Sequence, residues 1–178
     1  MRWALAAACV LAPASAHAID YMTADQAAKS VFPDADRFES VEIKLDSTQM
    51  QELASRGVQA RTVAWPVRVA RAGDATLGYV VVDAVIGKFE LISYAVGIRV
   101  DGSVTQIEIL SYRESHGFEI RNAAWRRQFA GKTAASALRV GEDIANISGA
   151  TLSCEHVTLG VKRIVNIVDL AKKAGALG

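Results

Sequence analysis

Four small or hydroxylated residues lie in a row in the last third of the chain: Ser148, Gly149, Ala150 and Thr151. They precede an apolar stripe that continues to about Lys173 and predicts a long helix. Ser148 stands where a helix N-cap is expected, which places Thr151 in the first helical turn. Unpaired backbone N–H groups and the helix dipole favour a phosphate group there. The segment therefore fits a phosphate site at Thr151, or an ordinary serine-capped helix start.

Other familiar catalytic motifs are missing from the sequence. It has no P-loop, dinucleotide fingerprint, HExxH or CxxCH motif. A hydrolase with Ser148 or Thr151 as nucleophile stays open, but only His116 and His156 are candidate bases after the first 18 residues. Cys154 and His156 are two residues apart and point to different sides of a helix, so we expect no metal site.

Residues 1–18, MRWALAAACVLAPASAHA, have the pattern of a secretory signal peptide. An arginine precedes an apolar run, and Ala16-His17-Ala18 is a suitable cleavage site, so we expect the mature chain to begin at Ile19. The alternative is a short membrane anchor, but the run is shorter than the roughly 18–20 residues that span a bilayer. Cleavage leaves Cys154 as a lone thiol, which we expect to be buried.

The composition predicts one well-packed domain. The chain has 178 residues, of which 51% are hydrophobic, so a disordered tail is excluded. With 20 Lys plus Arg against 19 Asp plus Glu, the charge gives no reason to expect binding to nucleic acid. No window after the first 18 residues is long and apolar enough to span a membrane.

Hydrophobic periodicity predicts an α+β fold, in which a long C-terminal helix packs on a curved antiparallel sheet. We divide the chain into a signal peptide (1–18), N-terminal helices and strands of the same domain (19–76) and a core (77–173). Asp101-Gly102 is a strong hairpin signal. The predicted helices are 24–31, 47–56, 125–130 and 148–173, and the predicted strands are 38–45, 62–71, 77–86, 91–100 and 104–112.

Several side chains in this predicted fold could have either a structural role or a role in contacting a cofactor. We expect the aromatic residues Tyr94, Tyr112 and Trp125 to belong to the core rather than to a cofactor platform. A basic cluster is expected on a solvated helix face, with a phosphate contact as the alternative; it comprises Arg126, Arg127 and Lys132.

Two further stretches accompany the Ser-Gly-Ala-Thr motif: YRESHGFE at 112–119 and WRRQFAGK at 125–132. Together with the motif and the Asp-Gly hairpin, they resemble the FMN-binding domain family over about residues 77–170. That family includes periplasmic subunits of sodium-pumping quinone reductases and of Rnf complexes. The resemblance implies a periplasmic electron-transfer protein that is matured by a flavin transferase using FAD and magnesium.

The resemblance also implies the site residues. Thr151 would carry FMN through a phosphoester bond, which makes the chain a phosphoprotein in the broad sense. The accompanying cofactor-binding residues would be Ser148, Gly149, Ala150, Ser153, Glu114 and Ser115. From residue type alone, Glu114 and Ser115 equally fit a turn-capping role. The electron partners would be a membrane-bound reductase and another redox protein such as a cytochrome.

One position departs from the family pattern. The family usually has Asp three residues before the motif serine, where this chain has Ala145, with Asp143 two residues earlier. If the acid assists the transferase, attachment would be slower or absent unless Asp143 replaces it. The alternative function is therefore a cofactor-free binding or regulatory module of the same fold.

Overall fold

The computed structural model describes residues 19–114 and 116–177, so the predicted signal peptide and Ser115 lie outside the described residues. The described part contains six strands and four α-helices. The strands are β1 (Ile19–Asp20), β2 (Arg37–Lys44), β3 (Ala64–Ala72), β4 (Ala75–Ile86), β5 (Leu91–Arg99) and β6 (Val104–Tyr112). The helices are α1 (Ala24–Val31), α2 (Ser47–Ser55), α3 (Ala123–Arg126) and α4 (Thr151–Lys173), with 3-10 turns at Phe118–Arg121 and Arg127–Phe129.

The strands form one antiparallel sheet in the order β1-β6-β5-β4-β3-β2. Strands β2 to β6 follow one another as a meander, because each pairs with the next along the chain. The hairpin between β5 and β6 turns at Asp101, whose carboxylate accepts a hydrogen bond of 2.8 Å from the Ser103 N–H. The predicted antiparallel sheet and single α+β domain are confirmed.

Helices cover both faces of this sheet. The long helix α4 packs on the sheet, as predicted, and contacts β4 and β5 through buried residues that include Val157, Val161 and Ile164. Helix α1 packs on the opposite face, where Val31 fits over Gly97; a Cβ at residue 97 would lie 2.0 Å from a Val31 methyl carbon. Covering both faces explains why the sequence of β4 is apolar almost throughout.

The predicted start of α4 is wrong. The helix begins at Thr151, and Ala150 occupies the cap position without any side-chain hydrogen bond. Gly149 has a φ of +82°, which glycine adopts without steric cost, and the Ala150 N–H closes a turn with the Ile147 carbonyl at 3.0 Å. This turn places Ser148 outside the helix, so Ser148 does not cap it. Thr151 is the first helical residue.

The helices predicted at 24–31 and 47–56 correspond to α1 and α2, with a difference of one residue at the end of α2. Thr23 and Gln26 form a capping box at the start of α1. The helical turn predicted at 125–130 is divided between α3 and a 3-10 turn. Among the described residues, no helix combines the length and hydropathy that crossing a bilayer requires.

Candidate functional site

The beginning of α4 and the loop that follows β6 meet the β4–β5 hairpin around a cavity of about 310 Å³. Exposed residues such as Phe89 and Thr151 belong to its lining, so the cavity opens at the surface. Its lining combines charged, hydroxyl and apolar side chains: Lys88, Phe89, Glu114, His116, Gly149, Ala150, Thr151, Leu152 and Ser153.

Thr151 presents its side chain at this cavity. The residue is exposed, and the Asn146 side-chain amide donates a hydrogen bond of 3.0 Å to its hydroxyl oxygen. A hydroxyl group has one hydrogen and two lone pairs, so this contact leaves the Thr151 hydrogen available to another acceptor. Asn146 thus fixes the orientation of the hydroxyl group without using its donor.

The surroundings of Thr151 favour an anion. The first N–H groups of an α-helix have no intrahelical acceptors, and the cap residue of α4, Ala150, makes no side-chain hydrogen bond to them. The helix dipole adds partial positive charge at the same end, and Lys88 lines the cavity. Backbone N–H groups together with a cation suit a phosphate group better than a neutral ligand.

Glu114 connects the loop after β6 to the β4–β5 hairpin. Its Oε1 accepts hydrogen bonds from the N–H groups of Phe89 at 2.6 Å and Glu90 at 3.0 Å. Burial would raise the pKa of Glu114, but the backbone N–H groups of residues 88–90 outweigh it and hold the pKa below its ordinary value. Gly87 leaves room for this contact, since a Cβ there would lie 2.7 Å from Oε1. The carboxylate therefore both lines the cavity and holds the hairpin.

Ser153 and Tyr112 support the floor of the site. The Tyr112 hydroxyl group donates to the His116 carbonyl oxygen, and its oxygen lies 3.1 Å from Ser153 Oγ. Because the tyrosine hydrogen is used on the carbonyl, the serine is the donor in the second bond. Gly117 permits this approach: a Cβ there would lie 2.6 Å from the Tyr112 oxygen.

The structure brings together most of the residues that the sequence predicted for the site. Ser148 is exposed and absent from the lining, and Ser115 lies outside the described residues. Five of the predicted residues line the cavity: Glu114, Gly149, Ala150, Thr151 and Ser153.

Sequence reasoning missed Lys88, Phe89 and Asn146 as site residues. Lys88 and Phe89 follow Gly87 in a hairpin turn, and such turns usually hold small polar residues. Their unusual residue types were the only sign in the sequence that this turn could belong to a site. The contact made by Asn146 depends on the turn at Gly149, which residue types alone do not specify.

Asp143 does not occupy the place of the absent acid at Ala145. Its carboxylate accepts from the Arg139 N–H at 2.9 Å and lies 2.9 Å from Lys132 Nζ. Burial would raise the pKa of Asp143, but these partners outweigh it and lower the pKa. Gln128 Oε1 accepts from the Ala145 N–H at 2.7 Å, so the WRRQFAGK stretch holds the backbone of the motif instead.

The expectation of a solvated basic face is wrong for two of its three residues. Arg126 forms an ion pair with buried Glu108, and Lys132 pairs with Asp143. Arg127 is exposed, and none of these residues lines the cavity at Thr151. The alternative phosphate contact by this cluster is therefore not made at Thr151.

The aromatic residues and the cysteine lie where the sequence predicted. Tyr94, Tyr112, Trp125 and Cys154 are all buried in the core. Burial raises the pKa of the Cys154 thiol, which keeps it unreactive. Within the described residues, no group of three or more His, Cys, Asp or Glu side chains is placed to hold a metal ion.

His156 is engaged away from the hydroxyl groups of the motif. Its Nδ1 lies 2.5 Å from the Ile86 carbonyl oxygen and 3.2 Å from that of Gly87. Two carbonyl oxygens can only accept, so Nδ1 carries the hydrogen in this arrangement. His156 thus holds the β4–β5 hairpin against α4. This contact argues against His156 acting as a base for Ser148 or Thr151.

Two comparisons with known proteins bear on this site. Residues 87–166 match the family model described as "FMN-binding domain". A search of the curated proteins found no match. The matched segment begins at the β4–β5 hairpin and includes Glu114 and Thr151, so it contains the lining of the cavity.

Proposed function

Residues 87–166 of this chain belong to the FMN-binding domain family, so the protein binds FMN, and we propose that Thr151 carries the FMN through a phosphoester bond. We further propose that the protein is exported and serves as an electron carrier. The supporting observation is the position of Thr151: an exposed hydroxyl group on the first residue of a helix whose cap residue makes no side-chain hydrogen bond, at the cavity that Lys88 also lines.

The residues around the cavity fit FMN chemically. Thr151, the first turn of α4 and Lys88 supply a hydroxyl group, N–H donors and positive charge for a phosphate. Phe89 and Leu152 line the same cavity and offer apolar surface to an aromatic ring. A site with an anion-binding part and an apolar part suits a ligand that has a phosphate and a ring system.

The attachment step uses the Thr151 hydroxyl group as the nucleophile. Its oxygen would bond to the FMN-side phosphorus of FAD. The bond from that phosphorus to the oxygen that bridges it to the AMP phosphorus would break, and AMP would leave. The hydroxyl proton passes to a base of the flavin transferase. Asn146 donates to the threonine oxygen, which leaves the hydroxyl hydrogen available for transfer to such a base.

Bound FMN supplies the redox chemistry, since a flavin accepts two electrons and can pass them on singly. The chain itself holds and shields the cofactor. We propose that its electron partners are other proteins. We propose a membrane-bound reductase and a cytochrome-like acceptor as those partners.

The proposed location follows from the sequence. Residues 1–18 have the pattern of a signal peptide, which supports export to the periplasm and cleavage after Ala18. Covalent attachment suits such a compartment, because a cofactor that dissociated there would be lost by dilution. The flavin transferase would act on the exported chain.

Intact-mass spectrometry of the full chain co-expressed with a flavin transferase tests the proposal. We expect a mass gain of one FMN less one water on the wild type and on Ser148→Ala, because Ser148 lies outside the cavity lining. Thr151→Ala should show no gain, and Thr151→Ser should restore it. An unmodified wild type, or an adduct that persists in Thr151→Ala, would overturn covalent attachment at Thr151.

A further inference from the structure

Phe89 is unusually exposed for a large apolar side chain. It lies in the turn between β4 and β5 with 75% of its surface accessible, the largest value among the large apolar residues that the structure describes. Exposed apolar residues are common singly, but this one lines the same cavity as Thr151. Its exposure is thus located at the site where the cofactor belongs.

A second exposed apolar residue lines the cavity. Leu152 follows Thr151 at the start of α4 and is 42% exposed. Phe89 and Leu152 therefore give the cavity apolar surface contributed by two separate elements, the hairpin and the helix. Aromatic and apolar surface of this kind is what a planar ring system contacts in ligand sites.

The position of Phe89 is fixed through its backbone. Glu114 Oε1 accepts from the Phe89 N–H at 2.6 Å and from the Glu90 N–H at 3.0 Å. His156 Nδ1 donates to the Ile86 carbonyl oxygen at the other side of the turn. The hairpin turn is thus held from two sides, which restricts where the Phe89 ring can lie.

One face of the Phe89 ring already has a partner. Lys88 Nζ lies 4.9 Å from the ring centroid, a cation–π contact. The accessible remainder of the ring is available to a flat ligand. An aromatic pair prefers an offset-stacked or edge-to-face arrangement, and either is compatible with such a ring.

We propose that Phe89 contacts the isoalloxazine ring of the bound FMN and that Glu114 is the positioning residue that holds Phe89 there. This inference rests on the proposed attachment at Thr151, which brings the cofactor to the cavity that Phe89 lines. A flavin ring is the favoured occupant because the same cavity contains the predicted phosphate tether.

The test replaces each of two exposed phenylalanines with tryptophan in the flavin-loaded full chain. An indole in contact with a flavin quenches its fluorescence, so Phe89→Trp should lower the fluorescence per flavin severalfold. Phe118→Trp is the matched control, because Phe118 is 59% exposed and does not line the cavity. Equal fluorescence in the two variants would overturn the proposed contact.

Glu114 is tested in the Phe89→Trp background. Glu114→Gln keeps an oxygen that accepts from the Phe89 N–H, so quenching should persist, whereas Glu114→Ala should restore fluorescence towards the level of the control. Quenching that is unchanged in a folded Glu114→Ala variant would overturn the positioning role. The tryptophan pair is decisive even if Glu114→Ala fails to fold.

Intact mass separates the two proposals. A missing adduct on the wild type counts against attachment at Thr151, and the tryptophan comparison is then made with FMN added to the protein. A normal adduct with equal fluorescence in both variants counts against Phe89 alone.

Discussion

The Asn146 side-chain amide lies 3.0 Å from the Thr151 hydroxyl oxygen and donates a hydrogen bond to it. Asn146 directly follows Ala145, the position at which the family pattern has an acid. The nearest acid in sequence, Asp143, is bound to Lys132 and to backbone N–H groups elsewhere. The residue that orients the threonine is therefore an amide in this chain.

Replacing Asn146 with alanine should slow flavin attachment. A neutral hydrogen bond contributes about 0.5–1.5 kcal/mol, so its loss corresponds to roughly a 2- to 12-fold lower rate if it acts fully in the transition state. The rate is measured as the adduct fraction against time with purified transferase and FAD. Ser148→Ala serves as the control, and equal rates for Asn146→Ala and the wild type would contradict the positioning role of Asn146.

Introducing the family acid should have the opposite effect. Ala145 is exposed, and its backbone is held by Gln128 and Trp125, so Ala145→Asp can be accommodated without repacking. If the acid assists the transferase, the variant acquires FMN faster than the wild type in the same time course. A slower or unchanged rate would show that the departure at residue 145 does not limit attachment.

The stability of the hairpin should depend on pH through Glu114. Its pKa in the folded protein is below the ordinary 4.5, so its ionised form stabilises the fold above pH 4.5. That contribution is lost as the pH falls from about 4.5 through the lowered pKa. Urea unfolding from pH 7 to pH 3 should therefore show a smaller loss of stability for Glu114→Gln than for the wild type. Parallel curves for the two proteins would contradict this assignment.

Gly87→Ala should weaken the same contact from the other side. An added Cβ would lie 2.7 Å from Glu114 Oε1 and 3.0 Å from an Ile92 carbon, so the carboxylate must move away from the hairpin. We expect a cost of about 1–3 kcal/mol in the free energy of unfolding. In a double-mutant cycle, Gly87→Ala should cost less when Glu114 is already alanine. Additive costs would indicate that the two residues act independently.

The strands, the β5–β6 hairpin and most helices were predictable because their signals are local. Asp101-Gly102 marks the β5–β6 hairpin, and Thr23 with Gln26 marks the start of α1. The two faces of the sheet were not assigned, since the contact of Val31 with Gly97 joins residues that are distant in sequence. Packing of this kind leaves no periodic signal in either segment.

The Ser-Gly-Ala-Thr motif of the candidate site was predictable from the sequence, but the residues that the hairpin contributes to the cavity were not. The family resemblance indicated Thr151, and the small residues before it indicated a helix start. The start itself was displaced because Gly149 turns the chain in a left-handed conformation, which places Ser148 outside the helix. Phe89 reaches the site only through the pairing of β4 with β5, so its role required the three-dimensional structure.

Peptide mapping of the flavin-loaded protein tests the central claim most directly. Trypsin cleaves after Arg139 and Lys162, and the fragment between them contains Thr151 together with Ser148, Ser153 and Thr158. Fragmentation of that peptide identifies the modified hydroxyl group. The account predicts one FMN phosphoester on Thr151; a flavin on Ser148 or Ser153, or a fragment without flavin, would contradict it.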